Sequence, residues 1–267
     1  MNGVRLYGRF VAASLRAQLQ FPGSFLMLLI SQALATSAEF VGIWALFRHF
    51  GQIKGWTFAE VAVFYAVINM SFSITEVMAR GFDIFGPQFV KTGNFDRLLL
   101  RPRNTPLQLL GHECRLTRFD RFLQGAVVLV IAAQFVPLDL SIATITLLLA
   151  TIAGGVALFA GLMILQATLS FWTIESLEIA NTLTYGGVEA AQYPLDIYLR
   201  WFRRFLIFVV PLACVGYFPV VRILGRHDSL GVPAWLGSAS PLMGFLFLGV
   251  ALRAWRFGVR HYCSTGS

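Results

Sequence analysis

The sequence predicts an all-α integral membrane protein with about six transmembrane helices, and composition, run length and charge placement point the same way. Of its 267 residues 57% are hydrophobic and 13% charged, where average soluble domains carry roughly 25% charged residues. The mean hydropathy is +0.70. A soluble domain of this length needs a polar surface that this composition cannot supply, so the apolar surplus has to face lipid. Apolar runs of about 20 residues recur along the chain, and each crosses a hydrocarbon core of about 30 Å as a helix. The basic residues gather between and beside those runs, as charges held at headgroups do. In a soluble protein the net charge of +8 would suggest nucleic acid. The aromatic stacking surface and basic stripe of such a module are missing, so no nucleic-acid partner is expected.

Residues 4–20 set Val4, Leu6, Phe10, Leu15 and Leu19 among the spaced arginines Arg5, Arg9 and Arg16, the pattern of an amphipathic helix lying in the lipid interface. The apolar run after Phe21 is too long for the core of a signal peptide, so it is read as a retained anchor. Pro22-Gly23 turns the chain into the bilayer. The first run, 25–47, contains one acid, Glu39. A short polar stretch with Arg48, Lys54 and Gly55 leads to the second run, 58–79, with Glu60 near its start and Glu76 near its end.

Residues 80–121 form the main polar loop. It holds eight basic residues (Arg80, Lys91, Arg97, Arg101, Arg103, Arg115, Arg118 and Arg121) against four acids. This excess places the loop, and with it the N-terminus, in the cytoplasm. The third run, 122–138, ends near Pro137 and Asp139. The fourth, 142–170, carries Gly154, Gly155 and Gly161, small enough for close helix contact. Beyond Trp172 two topologies fit. In one, 205–221 is the fifth span, and Arg200, Arg203 and Arg204 lie inside. In the other, 173–193 is a fifth span shielded by protein despite Glu175, Glu178 and Glu189, and 200–224 forms a proline-kinked re-entrant element at the outer face. Both give six spans with both termini inside once 233–252 is counted, and hydropathy alone favours the first.

The chain shows no catalytic machinery of its own. It lacks a GxxxxGK[ST] phosphate loop, a GxSxG elbow and an HExxH pair. Its histidines, His49, His112, His227 and His261, are scattered, and Cys114, Cys214 and Cys263 are too widely spaced for a zinc site or disulfide framework. No cofactor or metal is expected in this chain. Glu39 and Glu76 are the carboxylates to explain. They either line a polar path or act structurally, Glu76 at the interface and Glu39 against a Gln, Ser or Thr of a neighbouring helix. The segment 91–110 is the most informative. Gly93-Asn94 makes a turn, Phe95-Asp96-Arg97-Leu98-Leu99-Leu100 has the length of about two helical turns, and Arg101-Pro102 stops it. A short helix with Phe95, Leu98 and Leu99 on one side suits a cytoplasmic partner. It suits equally a membrane surface with snorkelling arginines.

The strings TGNFDRLLLRP at 92–102, QYPLDIY at 192–198, FVVPLA at 208–213, YFP at 217–219 and LG at 224–225 together resemble the ABC-2 type permeases, the membrane-spanning subunits of ABC transporters. The likeness is greatest to the six-span bacterial subgroup. The resemblance covers nearly the whole chain, so 1–267 is read as a single transmembrane permease domain. It implies that Gly93, Asn94, Phe95, Asp96, Arg97, Leu98, Leu99, Arg101 and Pro102 form a coupling element docking on a separate ABC ATPase, which binds ATP and Mg. It implies a second permease chain, hetero- or homodimeric, export of an unknown substrate by alternating access, and a multi-pass place in a bacterial-type inner membrane. It also implies an outer re-entrant region before the last span, which favours the second topology. Alanine at Phe95 and Leu98 is then expected to weaken ATPase binding without affecting insertion. The tail His261-Tyr262-Cys263-Ser264 departs from the Tyr-Gly-Gly ending of many relatives. Two other classes remain to be weighed: a membrane scaffold or assembly protein without transport, and an ion-coupled carrier, which would show internal repeats with broken helices that this sequence lacks.

Overall fold

The structure is a computed structural model, and it describes residues 3–139, 141–173, 177–226, 230–231 and 233–263. Glu175, His227 and Ser264 lie outside the described residues, as do the side chains of Val4, Leu6, Phe10, Leu15 and Glu178. Among the described residues the chain is helical, with no strand beyond a single bridge between Ile53 and Trp56.

Helix α1 (Gly3–Leu19) gives way at Phe21 to α2 (Pro22–Phe50), whose first-turn proline sits where a missing N–H costs nothing. The turn after α2 leads to α3 (Phe58–Asp83). Its start is fixed by a capping box: the Glu60 N–H donates to Thr57 Oγ1, and the Thr57 N–H donates back to the Glu60 carboxylate at 2.9 Å. Every residue from 60 to 73 is buried. A helix apolar on all faces belongs at the centre of a bundle, and α3 occupies it. Two helices pack along its length, α6 (Asp120–Phe135) and α7 (Ile142–Leu169), with α8 (Leu177–Ala191) beside it and α2 reaching it through Phe40 on Tyr65. Only Thr36, Ile43 and Phe47 of α2 are buried, so most of that helix is a lipid-type apolar surface.

The polar stretch expected from residue 80 starts later. After Asp83 the helix continues into a π-helical turn at Gly86–Val90, so the second span runs Phe58–Val90. Two short helices follow, α4 (Asn94–Leu99) and α5 (Thr105–Leu110). Beyond α8 come α9 (Arg200–Phe208), α10 (Leu212–Val215), α11 (Tyr217–Ile223), α12 (Ala234–Ala239) and α13 (Leu242–Arg260).

Among the described residues four helices are long and apolar enough to cross a membrane: α2, the Phe58–Val90 helix, α7 and α13. A fifth follows if Arg200–Phe208 and Leu212–Ile223, bent by 72° at their junction, count as one. Pro211 lies in that junction and denies the ladder a donor. The expected six are therefore four or five by length. Helix α6 has 16 residues and α8 has 15, spanning about 24 Å and 22 Å at about 1.5 Å per residue. Helix α6 ends at Phe135 because Val136 precedes a proline and is held extended, at φ −113° and ψ 136°.

At the capping-box end of α3 the connections are latched together. Lys54 Nζ donates to the Asp196 carbonyl at 2.8 Å, and Arg226 Nε lies 2.6 Å from Glu60 Oε1 with its guanidinium stacked 4.4 Å over Trp56. Helices α7 and α13 meet through small residues along most of their length. A Cβ on Gly154 would collide with the Pro241 carbonyl, and one on Gly244 with the carbonyl of Gly154 itself. The backbones touch there, as small residues permit in helices packed in lipid.

Replacing Gly154 or Gly244 by leucine therefore has to push two backbones apart. Each should destabilise the protein by about 1–3 kcal/mol or more, read as a lower unfolding temperature and a lost monodisperse peak in detergent. Gly249→Leu, on the same helix with open space around its Cβ position, should leave both unchanged.

Candidate functional site

The segment between α3 and α6 holds the residues singled out from sequence. Gly93 stands at φ 69° and ψ 3°, a left-handed conformation that glycine adopts without the Cβ penalty. It reverses the chain out of the π-helical turn. Asn94 Nδ2 donates to Thr92 Oγ1 at 2.8 Å and to the Gln88 carbonyl at 3.3 Å, and Thr92 Oγ1 donates to the same carbonyl. Helix α4 starts from that knot. Phe95 is fully buried. The rings of Phe85, Phe171, Trp255 and Tyr262 enclose it at centroid distances of 5.0, 5.5, 6.2 and 4.9 Å. Leu98 is buried as well, and Gln108 of α5 donates to the Leu98 and Arg103 carbonyls at 3.2 and 3.1 Å. Trp255 Nε1 donates to Thr105 Oγ1 at 3.0 Å, which ties α13 to α5.

The structure thus corrects the expected orientation of this helix. Phe95 is turned inward; together with most of Leu98 it is the side by which α4 is held to its own chain, because an aromatic box buries more apolar surface than a solvent-facing ring can. Asp96 is half-buried. The outward side is Asn94, Arg97, Leu99, Leu100, Arg101 and Pro102, with Leu100 85% exposed. Beside α4 lies a cavity of about 500 Å³, bounded by Phe89 and Leu98, by Arg97 and Arg101, and by His112. Partial burial holds the His112 imidazole below its usual pKa, with Glu113 opposing the shift and Arg101 adding to it, so the ring is neutral at pH 7. Helix α1 is fastened to the same segment: Ser14 Oγ donates to the Cys114 carbonyl at 2.9 Å, and the Leu116 N–H donates to Gln18 Oε1 at 3.1 Å.

The two carboxylates sit in separate ion pairs that begin from one stretch of chain. Glu76 has no exposed surface, and its Oε1 is 3.6 Å from Arg118 Nε, an ion pair too long to be a hydrogen bond. Arg118 also donates to Gln32 Oε1 at 3.3 Å. Glu39 accepts from Arg121 Nη2 at 3.2 Å and keeps about a third of its side chain exposed. Sequence reading allowed Glu76 at the interface and Glu39 against an uncharged partner. The structure buries the first and gives both an arginine, which in sequence counted only as loop charge. Below Glu76, Arg80 pairs with Asp83. Asp83 accepts from Tyr185 Oη at 3.2 Å and Gln166 Nε2 at 3.5 Å, and Gln166 Nε2 donates to Asn181 Oδ1 at 2.6 Å. Arg80, Asp83, Arg118, Asn181 and Tyr185 line a polar cavity of about 440 Å³ between α3 and α8. Sequence reading missed Asp83, Gln166 and Tyr185; the Arg80-to-Asp83 spacing on a helix was the available signal. Among the described residues no three His, Cys, Asp or Glu side chains gather as metal ligands.

A family model described as ABC-2 family transporter protein matches residues 33–266. No curated protein and no solved structure matches the chain.

Two stability predictions follow from this geometry. Phe95→Ala should cost about 3–5 kcal/mol, seen as a lowered unfolding temperature in detergent, while Leu100→Ala should change it by less than about 0.5 kcal/mol. Arg118→Ala strands the Glu76 carboxylate and should cost toward the lower end of about 3–5 kcal/mol, since Arg118 is partly exposed. Adding Glu76→Gln to Arg118→Ala should recover most of that loss; a double variant no more stable than the single one would mean that the pair carries no such charge penalty.

Proposed function

The chain belongs to the ABC-2 transporter family, and on that footing we propose that it is the permease subunit of an ATP-driven exporter whose ATP and Mg are held by a separate ATPase. The carrying observation is the mounting of α4. Its outward face is polar and basic with Leu99 and Leu100 projecting, while Phe95 on its inward face touches rings from the end of α3, from the segment after α7 and from α13. Force applied to α4 is therefore delivered to three helices at once. ATP binding shifts such a system between two access states if it favours one of them by a few kcal/mol.

In this reading the chain has six spans. The 3₁₀ turn Leu116–Phe119 continues directly into α6, and together they reach about 32 Å, enough for the hydrocarbon core. Helix α8 is the fifth span, packed against α3 and α7. The 72° break between α9 and α10 makes Arg200–Phe208 and Leu212–Ile223 an outer re-entrant element, tolerable because Leu212 to Val215 and most of α11 are buried in protein. The basic segment 91–115, between the second and third spans, lies on the cytoplasmic side of a bacterial-type inner membrane together with both termini, and α1 lies in the interface. The largely unburied face of α2 is left for lipid and a second permease chain. The polar cavity at Arg80, Asp83, Arg118, Asn181 and Tyr185 opens between α3 and α8 at the loop end, where a path for the transported molecule would begin.

Co-expression of the tagged chain with an ATPase encoded beside it, followed by mild extraction, tests this. A fixed-ratio complex of ATPase and permease is expected, and Leu100→Asp should reduce the recovered ATPase at least tenfold while the permease stays monodisperse. Recovery of the permease alone, with the ATPase present in the same cells, would overturn the coupling role.

A further inference from the structure

The surface beside α4 assigns a chemistry to the ATPase segment that meets it, an inference that rests on the coupling reading above. The cavity of about 500 Å³ is apolar at its floor, where Phe89 and Leu98 lie, and cationic at its rim, where Arg97 and Arg101 stand. Both arginines are exposed, and among the described residues neither takes part in an ion pair. The wall between floor and rim is the His112 ring, set edge-on to Phe89 at 4.7 Å. The back is fixed: Gln108 is buried, and its amide holds the carbonyls of Leu98 and Arg103. The shape therefore exists before anything binds, which lowers the entropy lost on docking.

We propose that this cavity is a socket for one projecting aromatic or aliphatic side chain of the ATPase, seated on Phe89 and Leu98, with a carboxylate beside it bridging Arg97 and Arg101. An apolar floor with two unpaired guanidiniums at its edge matches an apolar anchor flanked by acid, since the planar guanidinium forks bind carboxylates in two-point geometry. The anchor accounts for the hold and the charges for register and rate of encounter. The floor also explains why the contact matters to transport. Leu98 follows Phe95 on the same buried side of α4, so a side chain seated in the socket bears on the aromatic box that joins α3, α7 and α13.

The test uses the full-length chain co-expressed with its ATPase. A photo-crosslinking amino acid at position 112 should capture an ATPase peptide in which a large apolar residue neighbours Asp or Glu. The double reversal Arg97→Glu with Arg101→Glu should lower ATPase recovery at least tenfold, and wild-type recovery should fall with rising salt. His112→Trp, which keeps an aromatic wall but narrows the socket, should lower recovery without altering the permease's elution profile. An intact complex that shows no effect of either variant and no ATPase crosslink overturns the socket while leaving the coupling reading standing. Capture of phospholipid instead of protein would make this a headgroup site and overturn it as well. Failure of the wild-type chain to recover any ATPase overturns both.

Discussion

A carboxylate with no exposed surface on the central helix is the constraint from which the rest of this end of the bundle follows. Glu76 lies on α3, the helix at the centre of the bundle, whose residues 60–73 are all buried. Moving a charge that far from water costs several kcal/mol unless an opposite charge comes with it. The chain supplies that charge from Arg118, which draws the segment before α6 against α3. Ser73 reinforces the approach by donating to the Arg118 carbonyl at 2.6 Å. Three residues later Arg121 reaches Glu39, so α2 is held by the same stretch. About two turns past Glu76, Asp83 takes hydrogen bonds from α7 and α8. The charges on α3 thus decide which helices converge at the loop end and in what order.

The same helix then delivers the chain to α4 without a flexible joint. The π-helical turn at Gly86–Val90 carries Phe85 and Phe89 in a stacked pair 5.8 Å apart, and Phe85 packs on both Phe95 and Trp255. A plain loop here would let α4 swing freely. The extended helix and its aromatic box fix α4 to buried protein.

Much of this was legible because uninterrupted apolar runs of sufficient length have one solution in lipid. Helices α2 and α7 fall where the runs lie, and the break at Pro211 follows from a residue that cannot donate. Helix α13 (Leu242–Arg260) instead starts nine residues later than the 233–252 run and extends through Arg253, Arg256 and Arg260, which the run leaves beyond the span. The short α6 was readable from Pro137, which forces Val136 out of the helix. What was not legible depends on contacts far apart in sequence. The spacing of Phe95, Leu98 and Leu99 shows which residues share a face of α4. It does not show that Phe171, Trp255 and Tyr262 wait for that face. Likewise Arg118 and Arg121 read as loop charge by composition, since nothing local reveals that they turn inward to Glu76 and Glu39.

The contacts also divide the bundle by how readily they can be remade. Between α7 and α13 the backbones touch at Gly154 and Gly244, and interdigitated backbones cannot slide without first separating. Between α8 and its neighbours, hydrogen bonds from Tyr185 to Asp83, from Gln166 to Asn181 and from Thr184 to Gln166 stand beside the edge-on packing of Tyr185 against Phe72. Such bonds exchange with water at little net cost, roughly 0.5–1.5 kcal/mol each. A permease that alternates between two states has to break some contacts and keep others. If the chain alternates between two access states as proposed, the boundary of α3 with α8, where polar groups already face a cavity, is the less costly one to open. In that proposal the glycine seam keeps α7 and α13 together as the body against which the boundary would open.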